Sequence, residues 1–474
     1  MSAASKSTPT VDDVFSFIVE LESKHRILDW HIGDVPFYEI IRHHLVQYVF
    51  RATGSLENSK NVIAKDKVSL PSYLADLVLI LKNSTPQGWA RAFGWNRSAP
   101  KPGTGKVAVF PFYRRNGEGV DPHSIEYIRA LGKRAIVFGV GEDDANRIDR
   151  IHTSELNVIF ARLHGRKANR WISQNLKAED RQLYQSFIDD IEAHFGIQLA
   201  EGWRKLPTVR LRQYLEQSLG YETVFKLLNL SSVFVVSAIQ QGLIGGSRRA
   251  GIPIIEIQHG AISKYHPSFN WPNNSNPTNV VDGFLGWGDG WLDGISFAKR
   301  TKPLILGALD SYEAIRNLNI DETKDQVVFV SSADITVKLF EVAKACAKAN
   351  PNLRIIFKAH PREDLSAQVS ELEATAGLEN LEIMLKGPNA LEVIKASEYV
   401  VGVHSAALFE ASGMNKKIAI IKISGWEIGA DLVRRKSATL LNPDEAPMKL
   451  TTIAKSENPE VFYKRRTELD LSNF

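Results

Sequence analysis

The run SVFVVSAIQQGLIGGSRRAGIPIIEIQHG, residues 232–260, decides the fold. SVFVVSA (232–238) and PIIEIQHG (253–260) are continuous β-branched and apolar runs, and a glycine-bearing segment of helix length separates them. Strands without polar alternation are buried on both faces, as in a parallel sheet, and parallel strands need a crossover between them. The stretch therefore reads as strand, crossover helix, parallel strand.

The same pattern extends outward. VAVFPF (107–112), AIVFGVG (135–141) and NVIFARL (157–163) read as earlier strands, and a long polar helix is expected over 168–195. Downstream, the polar stretch ISKYHPSFNWPNNSNPTNV (262–280) reads as an interdomain linker. The alternation then restarts in DGFLGWG (282–288), PLILGAL (303–309), DQVVFVSS (325–332), LRIIFKAHP (353–361), LEIMLKG (381–387), YVVGVHS (399–405) and KIAIIKI (417–423). The expected fold class is α/β, with two Rossmann-like doubly wound domains facing a central cleft. Residues 11–55 look helical, with Val14, Phe17, Ile18 and Leu21 on a 3.6 spacing, and 70–82 reads as another apolar helix. The expected division is a helical N-terminal extension and linker over 1–105, an acceptor domain over 106–262, a nucleotide-donor domain over 280–440, and a tail over 441–474 with a helix near 458–468.

Bulk composition narrows the class. The chain has 474 residues, 44% of them hydrophobic, enough for two or three domains at roughly 100–200 residues each. The single cysteine, Cys346, excludes a disulfide framework and reads as a small buried residue of a helix. Lys and Arg number 58 against 54 for Asp and Glu, so the net charge of +4 does not argue for nucleic acid as a partner. The opening MSAASKSTPTVDD lacks the apolar core of a signal peptide, and no run reaches the roughly 18 to 20 apolar residues of a membrane span. A cytoplasmic protein is expected. Residues 83–106 combine Trp with Arg91, Arg97, Lys101 and Lys106, which suits either a plain linker or a peripheral contact at the inner face of the cytoplasmic membrane.

Four clusters fall where a strand gives way to a loop or helix. His259 and Gly260 end the strand PIIEIQ; an imidazole there suits a general base, or holds the loop by a hydrogen bond. Lys358, His360 and Arg362, with Pro361, follow LRIIF and form a compact cationic group suited to phosphate, or a basic turn. His404 and Ser405 open a helix that contains Glu410; Ser405 is a helix cap whose surrounding N–H groups favour an anion, and Glu410 suits a ribose hydroxyl or a plain surface position. Ser331 and Ser332, with Asp334, are small hydroxyl residues that let a phosphate approach, or a turn. GWGDGW (286–291) lacks the spacing of a dinucleotide fingerprint, and there is no phosphate-loop or HExxH motif. The acidic run EDD (142–144) reads as a solvated loop, so no metal or other cofactor is expected.

QHG, KAHP and HSAALFEA together resemble bacterial surface-polysaccharide glycosyltransferases of the GT-B architecture, over about residues 230–425. The related groups are capsule-type transferases, sialyl- and Kdo-transferases with an HP motif, and CDP-glycerol glycerophosphotransferases. The resemblance implies a sugar or polyol phosphate moved from a nucleotide-activated donor, by analogy a cytidine nucleotide, to a glycan or lipid-linked acceptor in the cell envelope. It implies His259 as base, His360 on the donor phosphate and Ser405 at the phosphate oxygens, with Lys358, Arg362 and Glu410 nearby. The acidic motif that sialyltransferases use for their base has no counterpart here. Two other readings share the architecture: a nucleotide-sugar epimerase, for which Glu256, Asp334 and Glu410 are the candidate carboxylates, and a non-catalytic scaffold in polysaccharide assembly.

Overall fold

The computed structural model describes residues 8–56, 105–112, 121–139, 149–151, 153–272, 275–332, 335–360, 377–385, 387, 389–466, 469 and 471. The chain opens with helices α1 (Val11–Lys24) and α2 (Phe37–Ala52). Thr10 and Asp13 cap α1 reciprocally, the Asp13 N–H donating to the Thr10 hydroxyl (3.1 Å) and the Thr10 N–H to the Asp13 carboxylate (2.9 Å).

Thirteen strands among the described residues form two wholly parallel sheets. The first contains β1 (Lys106–Phe110), β2 (Ala135–Phe138), β3 (Asp149–Ile151), β4 (Leu230–Val236), β5 (Ile254–Ile257), β6 (Gly283–Gly286) and β7 (Lys302–Ile305). The second contains β8 (Thr323–Val330), β9 (Arg354–Lys358), β10 (Leu381–Met384), β11 (Ser397–Gly402), β12 (Lys417–Ile421) and β13 (Thr439–Leu441). Their orders are β3-β2-β1-β4-β5-β6-β7 and β10-β9-β8-β11-β12-β13. Counted within each sheet, the second runs 3-2-1-4-5-6, the doubly wound order of a Rossmann fold, and the first runs the same with a seventh strand added after the sixth. The expected fold class holds.

The helices of the first half are α3 (Ile125–Leu131), α4 (Thr153–Asn175), α5 (Ala178–Phe195), α6 (Thr208–Leu228) and α7 (Gln241–Ala250). Those of the second half include α8 (Asp310–Asn317), α9 (Thr336–Ala349), α10 (Ala390–Ala396) and α11 (Ala406–Gly413). Cys346 is fully buried in α9, as expected.

Four local expectations are corrected. NVIFARL is not a strand but part of α4. Its buried positions Leu156, Ile159 and Phe160 recur at helical spacing, while Leu163 is exposed. The polar helix expected over 168–195 is two helices, α4 and α5. Residues 262–280 are not a linker between domains: they connect β5 to β6, and both strands pair in the first sheet. DGFLGWG and PLILGAL therefore belong to the first sheet, not the second. No helix forms over 458–466; this tail runs back as a strap against the first domain. The expected helix at 70–82, the EDD run and residues 83–104 lie outside the described residues.

The strap explains GWGDGW. The Gly290 N–H donates to the Val461 carbonyl (2.7 Å), the Lys464 N–H to the Trp287 carbonyl (2.9 Å), and the Trp291 indole N–H to the Phe462 carbonyl (2.6 Å). A Cβ on Gly288 would stand 2.5 Å from the Phe462 carbonyl carbon, so a glycine is required for this close approach. Arg466 closes the strap with a bidentate ion pair to Glu126 of α3, at 3.0 and 2.6 Å. Phe462 and Tyr463 pack with Trp291 and with Phe409 of α11, so one apolar core runs through both domains. Gly288→Ala should cost about 1–3 kcal/mol in urea unfolding by overpacking this contact; unchanged stability would mean that the strap yields freely.

Candidate functional site

In an open parallel sheet the strand order reverses at one point, and the crevice there is lined by strand carboxyl ends and helix N-termini. In the second sheet that point lies between β8 and β11. Val330 pairs with Lys358 and Phe329 with Val401, so Ser331 and Ser332 emerge between the ends of β9 and β11. The Ser331 N–H donates to the Lys358 carbonyl (3.0 Å), and the Ser331 hydroxyl shares a hydrogen bond with Thr336, the first residue of α9 (2.8 Å). Ser405 caps α11 as expected, its hydroxyl accepting from the Ala407 N–H (3.3 Å). His404 precedes it, packed beside left-handed Gly425 (φ +85°), where a Cβ would meet its ring at 2.9 Å. His360 follows β9 in the same row of strand ends. The structure thus brings Ser331, Ser332, Lys358, His360, His404 and Ser405 to one end of one sheet. Arg362 and Asp334 lie outside the described residues.

Lys358 is the unusual member of this group. Its side chain is 8% exposed, and among the described residues its ammonium has no hydrogen-bond or ion-pair partner. Burial lowers its pKa, since an apolar setting disfavours the charged form. An ammonium partly withdrawn from water, with no counter-ion among the described residues, suits an anion. By contrast, buried Lys416 is neutralised by Glu322 at 2.7 Å.

His259 and Gly260 stand at the carboxyl end of the first sheet, after β5. Gln258 fixes their loop: its amide N–H donates to the Gly260 carbonyl (3.0 Å), and its amide oxygen accepts the Trp287 N–H (3.0 Å). The His259 ring lies 5.9 Å from Phe112 and 6.4 Å, edge-on, from His123. Beside them is Asp121, whose carboxyl accepts the Phe112 and His123 N–H groups (3.1 and 3.2 Å). Burial raises the Asp121 pKa, and these hydrogen bonds and His259 oppose the rise. His123 stacks on Trp287 (5.9 Å), Trp287 on Tyr463 (5.4 Å) and Tyr463 on Tyr312 (4.3 Å). The Tyr312 hydroxyl donates to the Glu410 carbonyl (2.6 Å). This column ties the neighbourhood of His259 to α11 of the other domain through the Glu410 carbonyl.

The N-terminal helices hold the loop beyond His259. Arg42 of α2 forms a fully buried bidentate pair with Glu22 of α1 (2.6 and 3.0 Å), and it also donates to the Pro267 and Asn270 carbonyls. Glu39 accepts the Thr278 and Asn279 N–H groups (2.9 and 2.6 Å). His43 and His266 pack together at 5.2 Å; burial and nearby cationic groups hold His43 neutral, its pKa at about 3, and His266 well below its usual range. Glu256, on β5, is pushed up to about 8 by burial and accepts the Ala238 N–H (3.0 Å). It lines a small cavity shared with Arg42 and Trp271, and with Ala238 beyond the end of β4 and Gln241 at the start of α7.

Sequence reasoning missed Asp121, His123 and Arg42. The run DPHS (121–124), just ahead of α3 and after the loop from β1, was the one available signal for the first two.

Neither a family model nor a curated protein matches the chain. Among solved structures it is similar to a UDP-GlcNAc 2-epimerase from Neisseria meningitidis bound to UDP-GlcNAc, at 10% identity and a TM-score of 0.40, over 73% of this chain and 90% of that one. It is also similar to MurG from Acinetobacter baumannii (11%, 0.40, covering 75% and 92%) and to a glycosyltransferase from Rickettsia africae (12%, 0.41, covering 73% and 87%).

An ammonium partly withdrawn from water, with no counter-ion among the described residues, is a burden on the ligand-free protein. Lys358→Met should therefore stabilise the ligand-free chain by on the order of 1 kcal/mol in thermal or urea unfolding. A loss of stability would show that the ammonium already has a partner.

Proposed function

We propose that the chain is a glycosyltransferase of GT-B type. The second domain binds a nucleotide-activated sugar or polyol phosphate, and the first presents a glycan or lipid-linked acceptor of the cell envelope. The observation that carries this reading is Lys358, a mostly buried side chain with no partner among the described residues, at the switch point of a doubly wound sheet, beside Ser331, Ser332 and the capped start of α11.

In this reading the donor's phosphates occupy the crevice between β8 and β11. Lys358 supplies a point charge, and the N–H groups that begin α9 and α11 supply fixed dipoles. His259 takes the proton of the acceptor hydroxyl. The hydroxyl oxygen then bonds to the donor's reacting carbon or phosphorus, and the bond from that atom to the bridging phosphate oxygen breaks. The nucleotide leaves with that electron pair, and the positive groups around it stabilise the charge that develops. No metal enters these steps. His123 and Asp121 shape the pocket for the base, Asp121 by holding two backbone N–H groups in place. Closure of the seam would exclude water, the competing acceptor.

Epimerisation calls for a carboxylate set at the cleft. The Glu256 carboxyl is buried and engaged by the Ala238 N–H, and the Asp121 carboxyl is engaged by backbone N–H groups, which favours transfer. No helix among the described residues is long and apolar enough to cross a membrane.

Calorimetric titration with CMP, CDP, UDP and GDP should show saturable binding of one nucleotide. Lys358→Ala should weaken it about 10- to 100-fold, the worth of a charged hydrogen bond. Binding of none of the four, or equal binding by the variant, would refute the donor-site assignment.

A further inference from the structure

Helix α4 turns a strongly basic face to solvent. Arg162, Arg166, Lys167 and Arg170 are all exposed, and no acidic residue occurs between Arg162 and Gln174. Arg162, Arg166 and Arg170 recur every four residues and stack along one stripe, where like charges repel and weaken a helix. Among the described residues none of the four cations has an ion-pair partner. Nearby exposed cations are arranged differently: Lys205, Arg212 and Lys226 each pair with a glutamate four residues away, at 2.6 to 2.7 Å. The stripe carries a cost that its neighbours avoid.

The same surface exposes apolar side chains. Leu163, 56% exposed, projects from α4 among the arginines. Alongside, α4, α5 and α6 border a hollow of about 490 Å³, with Ile172, Leu176 and Val209 among its lining residues and Arg181 and Arg212 among its polar ones. Val209 is 66% exposed. A helix face with unpaired arginines and protruding aliphatic side chains matches a lipid headgroup layer, which offers negative charge outside and hydrocarbon just beneath. A nucleic acid backbone would take the arginines but give Leu163 and Val209 nothing to bury against, and the exposed face presents no row of aromatic rings for bases.

We propose that the α4 face, with the α4–α5–α6 hollow, docks the protein onto a bilayer surface rich in anionic phospholipid. The inference does not depend on the donor-site reading, since it uses none of the residues at the strand ends. It places the first domain, which carries His259, on the membrane side of the molecule.

The test is co-sedimentation of the full chain with vesicles of phosphatidylcholine alone and of phosphatidylcholine with one third phosphatidylglycerol. Binding is expected to the anionic vesicles and to weaken with added salt. Arg166→Glu with Arg170→Glu should weaken it about tenfold or more, and Leu163→Ser should weaken it without altering the salt dependence. Both variants change exposed positions, and unaltered thermal unfolding would show that they fold. Equal binding to both vesicle types, binding to neither, or charge-reversed protein that binds as before would overturn the proposal. So would double-stranded DNA that competes with the vesicles through the same arginines.

Discussion

One buried ion pair fastens the N-terminal helices to the first domain. Arg42 and Glu22 are 1% and 0% exposed, and two charges taken out of water must be fully satisfied or they destabilise the fold. Four of the five guanidinium N–H donors are engaged. Glu22 receives two guanidinium N–H groups and the Tyr38 hydroxyl (2.8 Å), and Arg42 also donates to two loop carbonyls. The guanidinium also lies 4.6 Å from the centre of the Trp271 ring. The pair thus joins α1 to α2 and fastens both to the segment that follows His259. Asp12 extends the attachment, accepting from Lys264 and from the Tyr265 hydroxyl at 2.8 Å each. At the far end of α2, the Ser424 hydroxyl of the second domain donates to the Ser55 carbonyl (2.8 Å). The N-terminal helices therefore brace both domains, and are more than an appendage to the first.

The second tie between the domains is the C-terminal strap. Its hydrogen bonds to Trp287, Gly290 and Trp291 and its ion pair to Glu126 bring the end of the chain back to the first sheet. The stacked rings of His123, Trp287, Tyr463 and Tyr312 then run from beside the candidate base to the helix that Ser405 caps. The brace and the strap hold the neighbourhood of His259 and the helix that Ser405 caps at a fixed separation, which the proposed transfer requires because small misplacements of reacting groups are costly in rate.

Much of the fold was legible because parallel strands buried on both faces leave continuous apolar runs; β2, β5, β9 and β12 fall inside such runs, and β1, β4, β8 and β11 overlap them. NVIFARL failed because a seven-residue apolar run does not declare its period; the outward turn of Leu163 is visible only in the structure. The segment 262–280 was misread because polarity and proline suggest a linker. Its backbone is satisfied by Glu39 and Arg42, the latter 225 residues upstream of Pro267, and no local rule reports such a partner. The strand-end clusters were legible because a parallel sheet collects function at its carboxyl ends. Asp121, His123 and Arg42 were not, since they act from a loop and a helix whose positions depend on tertiary contacts.

The central proposal is that the Lys358 ammonium, which has no counter-ion among the described residues, receives one from the ligand. A crystal structure of the chain with its preferred nucleotide tests this most directly. The account predicts phosphate between the carboxyl ends of β8 and β11, with an oxygen about 3 Å from the Lys358 Nζ. A nucleotide bound elsewhere, or in that crevice with Lys358 facing a protein carboxylate instead, would contradict it.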